Sequence, residues 1–331
     1  MEKRVPKIAV KSIFRLGTGR ANYGLYIALV ALLFIAFVVN IIWGVNFFKI
    51  SNLFNVARTS SILGVVSLGQ TMVIISGGLD LSVGSVISTS DVVAASIIDG
   101  IDTRVIPVVV LCLLMGGLIG LFNGFLVTKR DVPPFIATLG TSIILRGGRL
   151  IYTRGSPKGN IPESLRFIGI GSVAGIPAIL ILFVVVAIIF AIVLNRTMYG
   201  RRLYVTGSNA AASRLCGVNT DRTTIMAYMI CSTTAALGGL LLAAYTNTAD
   251  NWVGDGYDLD SIAAVVLGGA AIGGGIGSIS GTIIGVIVMI VLLNLSLLAN
   301  LPIQSQMLVK GAVVIAAVWI NSRRLRWKSQ T

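Results

Sequence analysis

Long apolar segments, separated by short polar ones, run through almost the whole chain. Of its 331 residues 55% are hydrophobic and only 11% are charged, whereas soluble domains carry about 25% charged residues. A helix of about 20 apolar residues crosses roughly 30 Å of hydrocarbon. The pattern predicts an all-α polytopic membrane protein. About ten transmembrane helices are expected, at 23–43, 60–77, 84–99, 105–127, 133–151, 177–194, 224–246, 259–274, 280–298 and 305–321.

The basic residues predict the orientation of these spans. Of the 26 Lys and Arg residues, 17 lie in segments that ten spans would place on one face, and only six lie on the other face. Because basic residues concentrate on the cytoplasmic side, both termini are expected in the cytoplasm. The predicted organisation is a cytoplasmic basic tail at 1–22, a single transmembrane domain at 23–321 with a cytoplasmic loop at 195–223, and a second cytoplasmic tail at 322–331.

Several function classes are disfavoured by what the sequence lacks. It has no histidine, which is the commonest general base and metal ligand. It contains no phosphate-binding G-x-x-x-x-G-K-[ST] loop and no hydrolase motif. We therefore expect no enzyme activity, cofactor or metal site in this chain, and any ATPase that drives it must be a separate protein. The net charge of +14 is explained by membrane topology, and nucleic acid is not an expected partner.

Four motif-bearing segments follow one another in a recognisable order. They are GQTMVIISGGLDLSVGSVIS at 69–88, PPFIATLGTSIILRGGRLIYTRGSP at 133–157, YGRRLYVTGSNAAASRLCGVNTDR at 199–222 and GYDLDSIAAVVLGGAAIGGGIGSISGTIIG at 256–285. Together they resemble the inner-membrane permease of ribose-type ABC sugar importers, within the branched-chain amino acid/monosaccharide permease superfamily.

This resemblance implies a ten-helix subunit with the type II permease fold of vitamin B12 importers, located in the bacterial cytoplasmic membrane. It implies three protein partners: a cytoplasmic ABC ATPase that binds ATP and Mg, a periplasmic or lipid-anchored sugar-binding protein, and a second permease subunit. The second subunit is either an identical copy or a paralogue.

The 195–223 loop is the longest polar interruption of the chain and carries five arginines. The resemblance implies that it contains a coupling helix at 209–216 that docks on the ATPase. Ser208 or Asn209 is expected to cap the helix start, its small residues to allow close approach, and Arg214 to project toward the partner. The expected coupling residues are Gly207, Asn209, Ala211, Ala212, Arg214 and Gly217, of which Gly217 would end the helix.

The resemblance implies that the glycine-rich segment at 76–88 is a gate or a transmission element near the inner mouth. Asp80 lies where a span ends, so its carboxylate is expected to reach water or to cap the next helix; a structural helix break is the alternative role. A similar segment at 268–281 would fall on the same cytoplasmic side, which argues against an inverted repeat. The candidate gate or pathway residues are Ser76, Gly77, Gly78, Asp80, Asp91 and Arg146.

Charged side chains inside spans cost about 2.5–3.5 kcal/mol each and require partners or water. Counting along the helices puts Asp260 and Lys310 at similar depths near the outer ends of their spans, and we predict that they form a structural charge pair. Asp91 has no evident partner and would face a water-filled pathway or a second permease. Arg146 and Arg149 share one helix face and would line the cavity or contact the outer lipid boundary.

The sequence thus predicts the membrane subunit of an ATP-driven importer for a monosaccharide, ribose before others, that is delivered by a binding protein. A nucleoside or a signalling furanose is an alternative cargo. An ion-coupled secondary transporter is the rival mechanism, but it would need acidic or histidine residues in mid-span, and only Asp91 fits that description.

Overall fold

The computed structural model describes residues 29–34, 36–38, 40 and 47–328. The basic N-terminal tail and most of the predicted first span lie outside these residues. A short apolar helix, Leu29–Val38, lies within that span. The helices that follow are α1 Ile50–Ile75, α2 Val83–Ile98, α3 Val105–Lys129, α4 Pro134–Thr153, α5 Glu163–Ile170, α6 Ala178–Arg196, α7 Met198–Ser208, α8 Ala210–Leu215, α9 Thr220–Thr246, α10 Tyr257–Leu267, α11 Ile279–Leu298 and α12 Ile303–Lys328.

Every predicted span from residue 60 onward overlaps one of these helices. By length and composition α1, α6, α9, α11 and α3 with its preceding turn are able to cross a membrane. Between α5 and α6 lies a two-residue antiparallel hairpin, β1 Ser172–Val173 with β2 Ile176–Pro177. The prediction of a mainly helical, multi-pass membrane protein is confirmed.

Three predicted boundaries differ from the helices; one is the end of the last span, placed at 321, where α12 continues to Lys328. The span placed at 60–77 begins ten residues earlier, at Ile50, because the helix continues through Arg58, whose guanidinium donates to the carbonyl of Ile170. The span placed at 259–274 ends at Leu267 and is only 11 residues long, about 16 Å of helix. Gly269, at φ +89°, ends the helix in a left-handed conformation, and Gly274 and Gly275, at φ +84° and +74°, keep the following segment non-helical.

The core forms around α1, the most buried of the long helices. Close approach of α3 to α9 uses glycines on α3. A Cβ atom added to Gly116 would lie 2.6 Å from the Ser232 carbonyl oxygen, and one added to Gly124 would lie 2.7 Å from the Ile225 Cα. Small residues allow such packing where water cannot drive helix association. By contrast, most residues of α3 and α6 are not buried within the chain, as expected of helices that face lipid.

Candidate functional site

The short helix α8 occupies the centre of the 195–223 loop, as the sequence predicts. Asn209 is its N-cap, because the side-chain oxygen accepts a 2.9 Å hydrogen bond from the Ala212 amide. Gly217, at φ +78°, ends it, and the Val218 amide donates to the Ser213 carbonyl at 3.0 Å, which is a Schellman motif. Ser208 does not cap α8; its hydroxyl donates to the Tyr204 carbonyl instead.

The outer face of α8 is apolar and exposed. Ala210, Ala211 and Ala212 are all exposed, and Leu215 is 90% exposed. Sequence reasoning identified the alanines but missed Leu215, because a leucine in an oily chain gives no signal of its exposure. A compact apolar face on a loop that leaves the bundle is suited to contact with another protein.

Arg214 differs from the prediction, because its side chain turns back onto its own chain. Its Nη2 donates to Asp221 Oδ1 at 2.8 Å and its Nε donates to Thr220 Oγ1 at 2.7 Å. The other oxygen of Asp221 accepts from Lys129 Nζ at 2.7 Å. Asp221, which the sequence analysis did not single out, therefore ties α8 to the start of α9 and the end of α3. The side chains of Lys129 and Arg214 are more than half exposed, so these ion pairs add little to stability.

Gly207 lies in the most tightly packed contact of the loop. The amide of Gly275 donates to the carbonyl of Ile75, the last residue of α1, at 2.9 Å. A Cβ atom on Gly207 would overlap that carbonyl oxygen and would lie 2.6 Å from the Gly275 nitrogen. We call the contact of Gly207, Ile75 and Gly275 the glycine junction. It joins α7 to both of the similar glycine-rich segments, which are distant in sequence.

Tyr204 adds a side-chain link at the same place. Its hydroxyl donates to the Gly277 carbonyl at 2.7 Å. Burial raises the pKa of Tyr204 to about 12, so the phenol stays protonated and remains a donor at neutral pH. The hydroxyl thus fastens α7 to the 268–278 loop at a second point.

A pocket of about 170 Å³ lies beside the glycine junction. Three predicted gate residues, Ser76, Gly77 and Gly78, form part of its wall. The predicted coupling residue Arg214 and its partner Asp221 form another part. The structure therefore brings the predicted gate segment and the predicted coupling loop to one place.

Asp80 does not reach water, contrary to one of its predicted roles: it is completely buried. Its Oδ1 accepts from the amide of Ser82 at 2.9 Å and from the Ser82 hydroxyl at 2.6 Å, just before α2 begins. The Ser82 hydroxyl also accepts from Asn123 of α3 at 2.9 Å, and Asp80 Oδ2 accepts from Ser232 of α9 at 3.3 Å. Asp80 thus anchors the α1–α2 connection to two neighbouring helices.

At the opposite end of the bundle, the acidic 247–256 loop covers Asp91. This residue is also completely buried, and its Oδ2 accepts from the Asp250 amide at 2.8 Å. In this structure it therefore faces neither an open pathway nor a free surface that a second permease could contact. The sequence does not show that the loop folds back over α2, and a role of Asp91 in the pathway or toward a second permease stays a prediction.

Arg149 holds the same loop from α4 and is only 4% exposed. Its Nη2 donates to the Asn251 carbonyl at 2.6 Å, and its Nη1 lies 3.2 Å from both the Ser85 carbonyl and the Thr89 hydroxyl. Arg149 was expected to line a cavity or to contact the lipid boundary, and in the structure it does neither. Its role is to connect α4, α2 and the 247–256 loop.

Arg146, one turn earlier on α4, is in a different environment. Half of its side chain is exposed, and its Nη2 lies 3.7 Å from Asp255 Oδ2. Its guanidinium carbon lies 4.3 Å from the centre of the Trp252 ring, within range of a cation–π interaction. It contacts the outside of the 247–256 loop, and its role at the cavity or at the outer lipid boundary stays a prediction.

Asp260 and Lys310, which were predicted to pair, are in contact. Lys310 Nζ lies 2.6 Å from Oδ1 and 2.7 Å from Oδ2 of Asp260, and both side chains are largely buried. The pair links the first turn of α10 to α12. A structural role for this contact stays a prediction.

Lys310→Met tests that role, because it removes the cation and keeps most of the side-chain volume. Asp260 is then left buried with no counter-charge, which is expected to cost about 3 kcal/mol. Thermal unfolding in detergent should show a clearly lower melting temperature. The exchanged pair, Asp260→Lys with Lys310→Asp, should recover most of the loss. A double variant as unstable as the single one would contradict a structural pair.

Comparison with known proteins places these features in a family. The family model for the branched-chain amino acid transport system / permease component matches residues 52–318. The chain belongs to this family. It is thus a permease component, and the resemblance inferred from the four motif segments is confirmed. All the sites described above lie within the matched region of the permease.

The permease is also similar to named sugar permeases. The ribose import permease protein RbsC of Escherichia coli K12 is 37% identical over 301 residues, covering 90% of this chain and 93% of the relative. RbsC of Bacillus subtilis is 37% identical over 299 residues, covering 88% and 91%. The galactose/methyl galactoside import permease protein MglC of Haemophilus influenzae is 33% identical over 297 residues, covering 84% and 88%. No solved structure gives a significant match.

Proposed function

We propose that this permease is the membrane subunit of an ATP-driven ABC importer that carries a monosaccharide, with ribose as the first candidate. The observation that carries the proposal is the 37% identity to ribose import permeases over about nine-tenths of the chain. The similarity to a galactose permease supports sugar as the class of cargo. Nucleosides and signalling furanoses remain alternative cargoes.

The proposed assembly has ten spans per subunit in a type II permease fold, in the bacterial cytoplasmic membrane with both termini inside. Two permeases, identical or paralogous, enclose the pathway. A cytoplasmic ATPase, which holds ATP and Mg, docks on the apolar face of α8. A periplasmic or lipid-anchored sugar-binding protein delivers the cargo to the outer loops. The exposed α8 face and the 17 basic residues of the inner segments support this orientation.

The inner gate is proposed at the connection between α1 and α2. Ser76, Gly77 and Gly78 line the pocket next to the coupling loop, and Asp80 holds the other end of the connection in place. A shift of α8 would therefore reach the gate over a short distance. An ion-coupled mechanism is less well supported, because its sole acidic candidate, Asp91, is buried and bound to the backbone of the 247–256 loop.

Reconstitution tests the proposal. The permease is placed in proteoliposomes with the ABC ATPase and the sugar-binding protein of the same importer, and uptake of radiolabelled ribose is measured. We expect uptake that requires ATP and both partners and that survives collapse of the proton gradient. Uptake without the ATPase that disappears with the gradient would establish the secondary-transporter alternative. ATP-dependent uptake of a nucleoside in place of ribose would change only the cargo.

A further inference from the structure

The glycine junction is built mainly from backbone atoms, so it has little room to adjust. Besides the contact of Gly207 with Ile75 and Gly275, a Cβ atom on Gly274 would lie 2.7 Å from the Gly207 carbonyl oxygen and 2.9 Å from the Gly77 Cα. There is thus no room for even a methyl group between these backbones, and backbone atoms cannot turn away from a neighbour as flexible side chains can. A displacement of α7 toward the loop must therefore displace the loop as well.

The 268–278 loop is attached equally closely to the helices that it joins. A Cβ atom on Gly268 would lie 2.6 Å from the Gly281 carbonyl group, and one on Gly285 would overlap the Ala264 carbonyl oxygen. Helices α10 and α11 are therefore packed backbone to backbone beside the loop. Thr282 of α11 is also hydrogen-bonded to Thr71 of α1 at 2.7 Å. The loop and these two helix ends form one tightly packed unit.

Other positions in the same loop have open space. A Cβ atom on Gly269 or Gly273 would meet no atom within 4 Å. The loop is therefore closely packed against α7 and the end of α1 but free at these positions. Tight contact on one side and free space elsewhere allow movement of the loop as a body when α7 pushes on it.

We propose that the 268–278 loop is a relay that passes movement of the coupling helix α8, through α7, to α10 and α11. Gly207 is its positioning residue, only three positions before α8 begins. The inference rests on the proposed function, since it requires an ATPase that moves α8. It extends that function by adding a second route, toward α10 and α11, to the direct one toward the α1–α2 connection.

Gly207→Ala tests the relay in the complete complex of permease, ATPase and binding protein in proteoliposomes. The readout is the amount of sugar imported per ATP hydrolysed. The added methyl group overlaps the Ile75 carbonyl and should separate α7 from the loop, lowering this ratio about tenfold while ATP hydrolysis and complex assembly are retained. Gly273→Ala is the matched control, because it makes the same glycine-to-alanine change in the 268–278 loop itself, at a position with open space; its ratio should equal that of the wild type.

An assembled Gly207→Ala complex with the wild-type ratio would overturn the relay, and so would an equal loss in Gly273→Ala. If Gly207→Ala does not assemble, Tyr204→Phe decides, since it removes only the hydroxyl that binds Gly277. A ratio lowered about threefold supports the relay, and an unchanged ratio overturns it. A wild-type complex that imports nothing with ATP would instead overturn the proposed function, so the two failures are distinct.

Discussion

Ala211→Trp is expected to reduce ATP-driven uptake by about 30-fold or more while the permease itself stays folded. Ala211 is exposed on the outer face of α8, so a large side chain there should not clash with the rest of this chain. It would instead hold the ATPase away from the apolar face. A loss of about 2 kcal/mol or more of binding free energy, as found for substitutions at the centre of an interface, corresponds to a factor of about 30. Uptake, ATPase binding and the melting temperature should be measured on the same preparation.

Ala211→Ser is the matched control, because it keeps the residue small at the same position. It should transport at close to the normal rate. Normal transport by Ala211→Trp would rule out α8 as the coupling helix. A lowered melting temperature of the isolated Ala211→Trp permease would show instead that this face packs within the chain, in conflict with the structure.

Arg149→Met is expected to destabilise the permease by about 3 kcal/mol and to release the 247–256 loop. The substitution removes the buried guanidinium and leaves the Asn251 carbonyl without its donor, whereas the Ser85 carbonyl keeps the hydrogen bond from the Thr89 hydroxyl. Hydrogen bonds to charged groups contribute about 1.5–3 kcal/mol each, and unpaired buried acceptors add a further penalty. The melting temperature should fall, and hydrogen exchange should rise at residues 247–256 in particular.

Arg146→Met is a control from the same helix face, one turn away. Its ion pair with Asp255 is 3.7 Å long and half exposed, and such a pair contributes less than about 1 kcal/mol. We expect a small change in melting temperature and little change in hydrogen exchange of the loop. Equal effects of the two substitutions would show that Arg149 does not anchor the loop.

The sequence was most informative where chemistry is local. Asn209 and Gly217 predicted the ends of α8 because capping depends on residues only a few positions apart. Asp260 and Lys310 were predicted to meet because helix rise converts sequence position into depth and a buried charge needs a partner. The ends of glycine-rich helices were harder to predict. Hydropathy alone indicated a longer α10, but the positive φ of Gly269 ends the helix early.

The sequence missed features that depend on distant segments. Arg214 was expected to face a partner, but Asp221 lies close enough in the folded loop to bind it. Asp91 and Arg149 were placed at open surfaces, because no local pattern shows that the 247–256 loop lies over them. Leu215 went unnoticed for the opposite reason, since only the structure shows how exposed it is.

The amino-acid sequence by itself determined the helical membrane class, the positions of most helices and the family, because hydrophobicity, charge asymmetry and motif order are properties of the linear chain. Only the tertiary structure decided which polar groups are buried and which glycines meet. The glycine junction joins Gly207 to Ile75 and Gly275, which are far apart in the chain. Such contacts exist only after packing has brought their backbones together, and no residue type specifies its partner in advance.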